Sequence, residues 1–464
     1  GAQNSVLRLG RLAQLTKSDA KLGDGKIDAG ALVHQPDSPQ YFQALQGGEA
    51  LLRYETLAHD IQRVAVAVRG GETREMYIVQ QDDLHTLYET RVHAQHDQKH
   101  DIYRLDYTFV LTDGETRMSD PNTYSRSFTN KTVFATPEWA RHAVWYQIMM
   151  DRFRNGNPNN DPDPVTPWTL DWFSPAPFEG KDGQTFYKFF VFTRLYGGDI
   201  DGLEEKLPYL KELGVNAIYL NPVFKSPSHH KYDAINYLHI DDHFGTKGDY
   251  DKVIGQEDLL DPKTWQWTDS DKRFLQFIKQ AHEMGFHVIV DGVFNHVGTQ
   301  HPAFQDVKKN GKKSRFADWF DVTSWEPFDY NGWAGYKELP VFKKSPEGLA
   351  SESLKQHLFN LTRRWMDPNG DGDPSDGIDG WRLDVPNEIP MPFWVEWRKV
   401  VKGVNPEGYI TGEIWDNAGI WLDGKHFDAV MNYPFARAVV SWVLDQAWKI
   451  KPSEFDRRLR ELRL

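Results

Sequence analysis

Three carboxylates in this chain each follow a short apolar run, and one of them stands two residues from an arginine. Gly380-Trp381-Arg382-Leu383-Asp384-Val385 reads as a short strand. Alternate side chains of a strand leave the same face. Arg382 and Asp384 therefore point one way, and Trp381, Leu383 and Val385 point the other, into a core. A carboxylate beside a fixed guanidinium is expected to stay ionised at neutral pH, which suits a nucleophile. The plainer alternative is a structural ion pair. Val288-Ile289-Val290-Asp291 and Gly412-Glu413-Ile414-Trp415 repeat the pattern of an acid at a strand end. Two carboxylates on neighbouring strands can act as nucleophile and general acid/base on a glycosidic bond. A Trp or apolar wall beside the acid raises its pKa. Taken singly, Asp291 and Glu413 read more readily as strand-end caps than as catalytic groups. Asn221, Asn295 and His296 complete the polar residues at such positions.

The elements that position these groups alternate in type. From about residue 140, buried strands at residues 144–149, 217–220, 287–290, 380–385, 409–412 and 428–431 are separated by amphipathic stretches at 203–213, 272–284 and 354–365. This alternation predicts a parallel α/β barrel of the (β/α)8 TIM type over residues 138–464, with functional groups at the C-terminal ends of its strands. The interval between Asn295 and Leu354 holds turns and aromatics but little periodicity. It predicts a subdomain, about residues 297–350, inserted after the third strand. Upstream, residues 41–137 carry short alternating runs with Gly and Asp turns, such as Tyr103 to Leu111 before Asp113-Gly114, and predict a β-sandwich. Residues 1–40 are polar and read as a loose arm with at most one or two edge strands. Thr136-Pro137-Glu138 reads as a linker.

Composition narrows the function classes. The chain has 464 residues, 39% hydrophobic and 26% charged, the profile of a folded protein of two or three domains. A net charge of −13 argues against nucleic acid or an anionic membrane as partner. The absence of cysteine excludes disulfides, thiolate nucleophiles and Cys-based zinc sites. Gly1-Ala2-Gln3 is not an initiator start, so a removed signal peptide or tag is expected. That gives an extracellular or periplasmic location a slight preference over the cytoplasm.

Together the motifs resemble the α-amylase family of retaining glycoside hydrolases, within it the neopullulanase, cyclomaltodextrinase and maltogenic amylase group. The matching stretches are Asp291-Gly292-Val293-Phe294-Asn295-His296, Gly380 to Glu388, Gly412-Glu413-Ile414-Trp415 and His229-His230-Lys231-Tyr232-Asp233. The resemblance implies a covalent intermediate on Asp384, with Glu413 as acid and then base and Arg382 holding Asp384 ionised and oriented. It implies that His296 and Tyr232 line the reacting sugar's subsite, Tyr232 by stacking under the ring, while His230 and Asp233 support that loop. Asp291 and Asn295 would be architectural, and Asn387 and Glu388 would lie toward the leaving group. The substrate class implied is an α-1,4- or α-1,6-linked glucan: starch, maltooligosaccharide, pullulan or cyclodextrin. The upstream sandwich resembles the group's starch-binding-type domain, through which some members dimerise.

Two loops suit calcium, which prefers hard oxygen ligands. Phe153 to Asp161 packs oxygen donors into a tight turn, although a solvated Asn-rich turn would look the same. It resembles the group's calcium loop after the first barrel strand, which implies Asn155, Asn157, Asn160, Asp161, Gly197 by its carbonyl, and Asp199 as ligands. Asn157 stands where an Asp is common. The second loop, Asp367, Asn369, Asp371 and Asp373, matches the first half of an EF-hand, but Ile378 occupies the closing position. Asp376 or Asp379 could supply the missing carboxylate, and the alternative is a solvated acidic turn.

The sequence also departs from the family. No His-Asp motif carrying a third catalytic carboxylate follows Glu413, and the nearest stretch to the group's Met-Pro-Lys-Leu-Asn motif is Glu338-Leu339-Pro340-Val341-Phe342. These 464 residues are expected to be a fragment lacking the last barrel strands, inactive alone. The competing classes are a transglycosylase or isomerase of the same superfamily and a non-catalytic glucan-binding protein.

Overall fold

The computed structural model describes residues 18–38, 40–130, 133, 135–167, 194–444 and 449–461. The first part of the expected arm, residues 1–17, lies outside these. The chain divides into two compact units. One takes in the chain up to Ala135 with Trp415–Lys425 and Asn432–Leu464, and the other comprises Thr136–Ile414 with His426–Met431. No described helix is long and apolar enough to cross a membrane.

The first unit contains two antiparallel sheets. One runs Phe42–Ala44, Glu49–Leu57, His85–His93, Tyr77–Gln81, and the other runs Tyr124–Phe128, Ile102–Asp113, Arg63–Val68, Thr73–Glu75. The alternation of residues 103–111 is realised as predicted: Leu105, Tyr107, Phe109 and Leu111 are buried against Tyr54, Val64 and Val66. Residues 18–38 are not a loose arm. The Asp113 carboxylate accepts from the amides of Gly23 and Gly25, Val33 bridges Glu55, and Val33 and His34 are buried. Polar composition concealed this, because the stitching is made by backbone amides.

The second unit is built on a parallel sheet of six strands, β1 Trp145–Ile148, β2 Ala217–Leu220, β3 His287–Gly292, β4 Gly380–Leu383, β5 Tyr409–Gly412 and β6 Ala429–Val430, paired in chain order. Helices α1 Ile200–Glu212, α2 Asp269–Glu283, α3 Glu352–Met366 and α4 Met391–Val404 alternate with them. Each of the first three begins at a side-chain cap: Asp199 accepts from Gly202, Thr268 forms a reciprocal capping box with Asp271, and Ser351 accepts from Leu354. Asp428, just before β6, is a structural acid, ion-paired with Arg398 and Lys402 and accepting from the Ile410 amide.

After β3 the chain forms the expected insertion. It has more regular structure than its sequence suggests: a helix Pro302–Asn310, a hairpin pairing Val322–Trp325 with Phe328–Tyr330, and a second pairing Lys344–Ser345 with Gly348–Leu349. Its return strand lies beside the segment leaving β3, where His296 bridges Val341 and the Phe342 amide donates to the Asn295 carbonyl.

Candidate active site

Strand register brings the charged residues together. Asp291 of β3 is the direct partner of Arg382 of β4, and Leu383 is the partner of Gly412. Glu413, one residue past β5, donates its amide to the Leu383 carbonyl. Arg382 and Asp384 do leave one face, and Trp381 and Leu383 are fully buried on the other. The strand itself stops at Leu383. Val385 adopts φ +36, a left-handed conformation costly for a β-branched residue, and its amide donates to Glu413 Oε2 at 3.2 Å.

Arg382 is the hub. Its Nη1 donates to Asp291 Oδ1 and Oδ2 at 2.9 and 2.8 Å and to Asp384 Oδ1 at 3.2 Å. Its Nη2 lies 2.8 Å from Glu413 Oε2. All four side chains are buried. Asp291 also accepts from the hydroxyls of Tyr219 and Tyr232 at 2.6 and 2.9 Å. Asn221 donates to the Tyr232 hydroxyl and accepts from Gln147.

One guanidinium thus faces three carboxylates, and this corrects the expectation that it simply keeps Asp384 ionised. Burial and the charge of Asp291 push the Asp384 carboxyl well above the ordinary carboxylate range; Arg382 opposes them, and Glu413 adds to the rise through its charge and a hydrogen bond. Burial likewise raises Asp291, against Arg382 and the tyrosine hydroxyls. Two close carboxyls facing one cation tend to hold a proton between them.

The Tyr232 loop is fixed from below. Lys231, at φ +64, places its ammonium on Asp241 at 2.8 Å and on the Ser226 carbonyl. Asp233 accepts from Ser226 and Ser228, and His230 Nδ1 meets the Tyr232 amide. His296 is buried, its Nε2 has no hydrogen-bond partner among the described residues, and burial lowers its pKa to about 4, so the ring is neutral. Asn295 contacts His296 through its side chain. Asn387 and Glu388 are exposed on the turn Pro386–Glu388 and are not drawn into the carboxylate cluster. Sequence reasoning missed Tyr219, which acts across the sheet, and Lys344. Burial lowers the Lys344 ammonium, while Glu388 and Asp321 oppose that shift. Neither residue carries a local motif.

The Asn-rich loop forms a cluster of its own. Asn155 Nδ2 donates to Asp161 Oδ1 at 2.6 Å, and a Cβ added at Gly197 would lie 2.4 Å from that oxygen. Asp199 accepts from the amides of Gly156 and Asn157. Among the described residues the side-chain oxygens of Asn155 and Asn160 are buried with no hydrogen-bond partner, an oxygen chemistry that fits a hard cation. The second acidic loop leads into β4, at the end of the sheet opposite Asp384. Its acids accept from its own amides: Asp367 from Gly370 and Gly372, Asp371 from Asp373, and Asp373 from Ser375. Asn369 accepts from Asp371, while Asp379 is held by His282 and His287.

Comparison with known proteins agrees with this geometry. Residues 147–261 and 268–462 match the model of the alpha amylase catalytic domain. The chain is 38% identical over 376 residues to neopullulanase 2 of Thermoactinomyces vulgaris, covering 78% of this chain and 56% of that protein. It is 33% identical over 455 residues to a cyclomaltodextrinase of Thermoanaerobacter pseudethanolicus, covering 93% and 69%. A solved cyclomaltodextrinase superposes with a TM-score of 0.73 at 30% identity, over 93% of this chain and 68% of that one. The chain therefore spans between about half and two thirds of the length of these relatives. With a parallel β/α sheet preceded by an antiparallel β domain, and acids at the ends of β3, β4 and β5, this chain belongs to the alpha-amylase family.

Proposed function

We propose that the whole protein is a retaining α-glucan hydrolase of the neopullulanase and cyclomaltodextrinase kind, acting on α-1,4 and α-1,6 bonds. The observation that carries this is the convergence of Asp384 and Glu413 on one buried guanidinium at the ends of adjacent strands.

In the first step an oxygen of ionised Asp384 forms a bond to the anomeric carbon. The glycosidic C–O bond breaks, and Glu413 delivers its proton to the leaving oxygen. In the second step Glu413 takes a proton from water, whose oxygen displaces Asp384. Arg382 aims both acids, and Asp291 with the two tyrosine hydroxyls aims Arg382. Neutral His296 and Tyr232 fit contacts to the reacting sugar. Lacking a His-Asp motif after Glu413, the 464 residues alone are proposed to bind glucans without turning them over.

Calcium is proposed at the Asn-rich loop, held by Asn155, Asn157, Asn160, Asp161, the Gly197 carbonyl and Asp199. Bound there, it would tie the loop after β1 to the start of α1. In the acidic loop before β4, Asp367, Asp371 and Asp373 accept from the loop's own amides, and the proposal does not extend to it.

Reducing-sugar release from maltotriose, cyclodextrin and pullulan by the whole protein tests the function, and Asp384→Asn should abolish it. Glucan binding with no turnover by the whole protein would instead identify a binding protein.

A further inference from the structure

The Tyr232 hydroxyl carries one proton and has two partners. Asn221 Nδ2 lies 3.0 Å from its oxygen, and Asp291 Oδ2 lies 2.9 Å from it. An amide nitrogen only donates, and an ionised carboxylate only accepts. With the nitrogen of Asn221 turned toward it, the hydroxyl is left to donate to Asp291. Turned the other way, Asn221 would present Oδ1 and compete with Asp291 for the same proton.

Gln147 settles the turn. Its Nε2 donates to Asn221 Oδ1 at 3.0 Å, which leaves Nδ2 for Tyr232. The backbone sets the two side chains next to each other. Asn221 directly follows β2, and its backbone amide donates to the Ile148 carbonyl at 2.9 Å, extending the ladder between β1 and β2 by one residue. Pro222 restricts Asn221 to an extended backbone. Strand parity therefore continues past Leu220, and Asn221 leaves the same face as Tyr219, the register partner of Gln147. Tyr219 itself donates to the same Asp291 oxygen at 2.6 Å. Asn221 is buried, where an amide without partners is costly. Here both its side-chain atoms are partnered, and each donor in the series Gln147, Asn221, Tyr232 points toward Asp291. Hydrogen bonds aligned in series polarise and strengthen one another. The series ends on the carboxylate that holds Arg382.

The geometry points to Asn221, turned by Gln147, as a positioning residue that holds the Tyr232 hydroxyl on Asp291 and through it the alignment of Arg382 with Asp384. Asn221 acts through Tyr232 and not on the reacting atoms. This role rests on the glucan hydrolase reading above and adds two residues, on β1 and after β2, to the support of the proposed nucleophile.

A double-substitution cycle on the whole protein tests it, with kcat/KM for maltotriose as the readout. Asn221→Leu, of similar volume, removes both side-chain hydrogen bonds and should lower kcat/KM on the order of tenfold. Tyr232→Phe keeps the ring face and removes the hydroxyl. In that background Asn221→Leu should cost less than about twofold, because the bond it breaks is already gone. Gln147→Met, at an exposed position on β1, carries the test where Asn221→Leu does not fold. It should cost about threefold alone and nothing further after Tyr232→Phe. Equal losses with and without the Tyr232 hydroxyl, or no loss from either single substitution, would overturn the positioning role and leave the hydrolase reading standing. Absence of turnover by the unsubstituted whole protein would overturn both.

Discussion

Arg382 donates through Nη1 to both carboxylate oxygens of Asp291, at 2.9 and 2.8 Å, while Asp384 receives a single bond at 3.2 Å. The arginine that looks in sequence like the partner of Asp384 is anchored first to its register partner on β3. Arg382→Met would leave three buried carboxylates around no cation. It should destabilise the second unit by about 3–5 kcal/mol in urea unfolding. Unchanged stability would mean that the cluster does not hold the strands.

The same geometry sets the pH profile. As the proposed nucleophile Asp384 must be ionised to attack, and burial together with Asp291 holds its carboxyl up. Turnover by the whole protein should therefore rise with pH through an apparent pKa above the ordinary carboxylate value. Asp291→Asn removes a neighbouring negative charge and leaves more of Arg382 for Asp384. Both effects lower that pKa, so the acid limb of kcat against pH should move to lower pH even if the rate falls. A shift upward would contradict this.

A second pH effect concerns stability. Burial would lower the His239 pKa, but hydrogen bonds to Asp271 and Glu257, both at 2.7 Å, raise it to about 9. Its folded value lies above the unfolded 6.5, so its contribution is full below pH 6.5 and is lost as pH rises through about 9. The loss should be roughly 3 kcal/mol over that window. His239→Gln should be less stable at pH 6 and show a flatter profile, measured as urea-unfolding free energy from pH 6 to 10.

For calcium, added ion should raise the Tm and a chelator should reverse the rise. At a hundredfold excess over Kd the stabilisation is about 2.7 kcal/mol. Asp161→Ala should abolish the increment while leaving the metal-free Tm nearly unchanged. This position is chosen because Asp199 also caps α1 and would confound the result.

What was legible in the sequence was what strand periodicity carries. An acid directly after an apolar run lands at a strand end, which located Asp384, Glu413 and Asp291, and the parity of Arg382 and Asp384 put them on one face. What was not legible depends on partners far apart in the chain. Asp291 reads as an architectural acid, yet it draws Arg382, Tyr219 and Tyr232 from three other segments and shifts Asp384. The stitching of residues 18–38 runs through backbone amides, which no side-chain pattern reports. The insertion lacks a period because short hairpins and bridges build it, so Lys344 could not be placed.

Asp384 is the proposed nucleophile. The most direct test treats the whole protein with a 5-fluoro-α-glucosyl fluoride, which slows hydrolysis of the covalent intermediate, and maps the adduct by peptide mass spectrometry. One fluoroglucosyl label is expected on Asp384, absent after Asp384→Asn. A label on Asp291 or Glu413, or turnover without any covalent adduct, would contradict it.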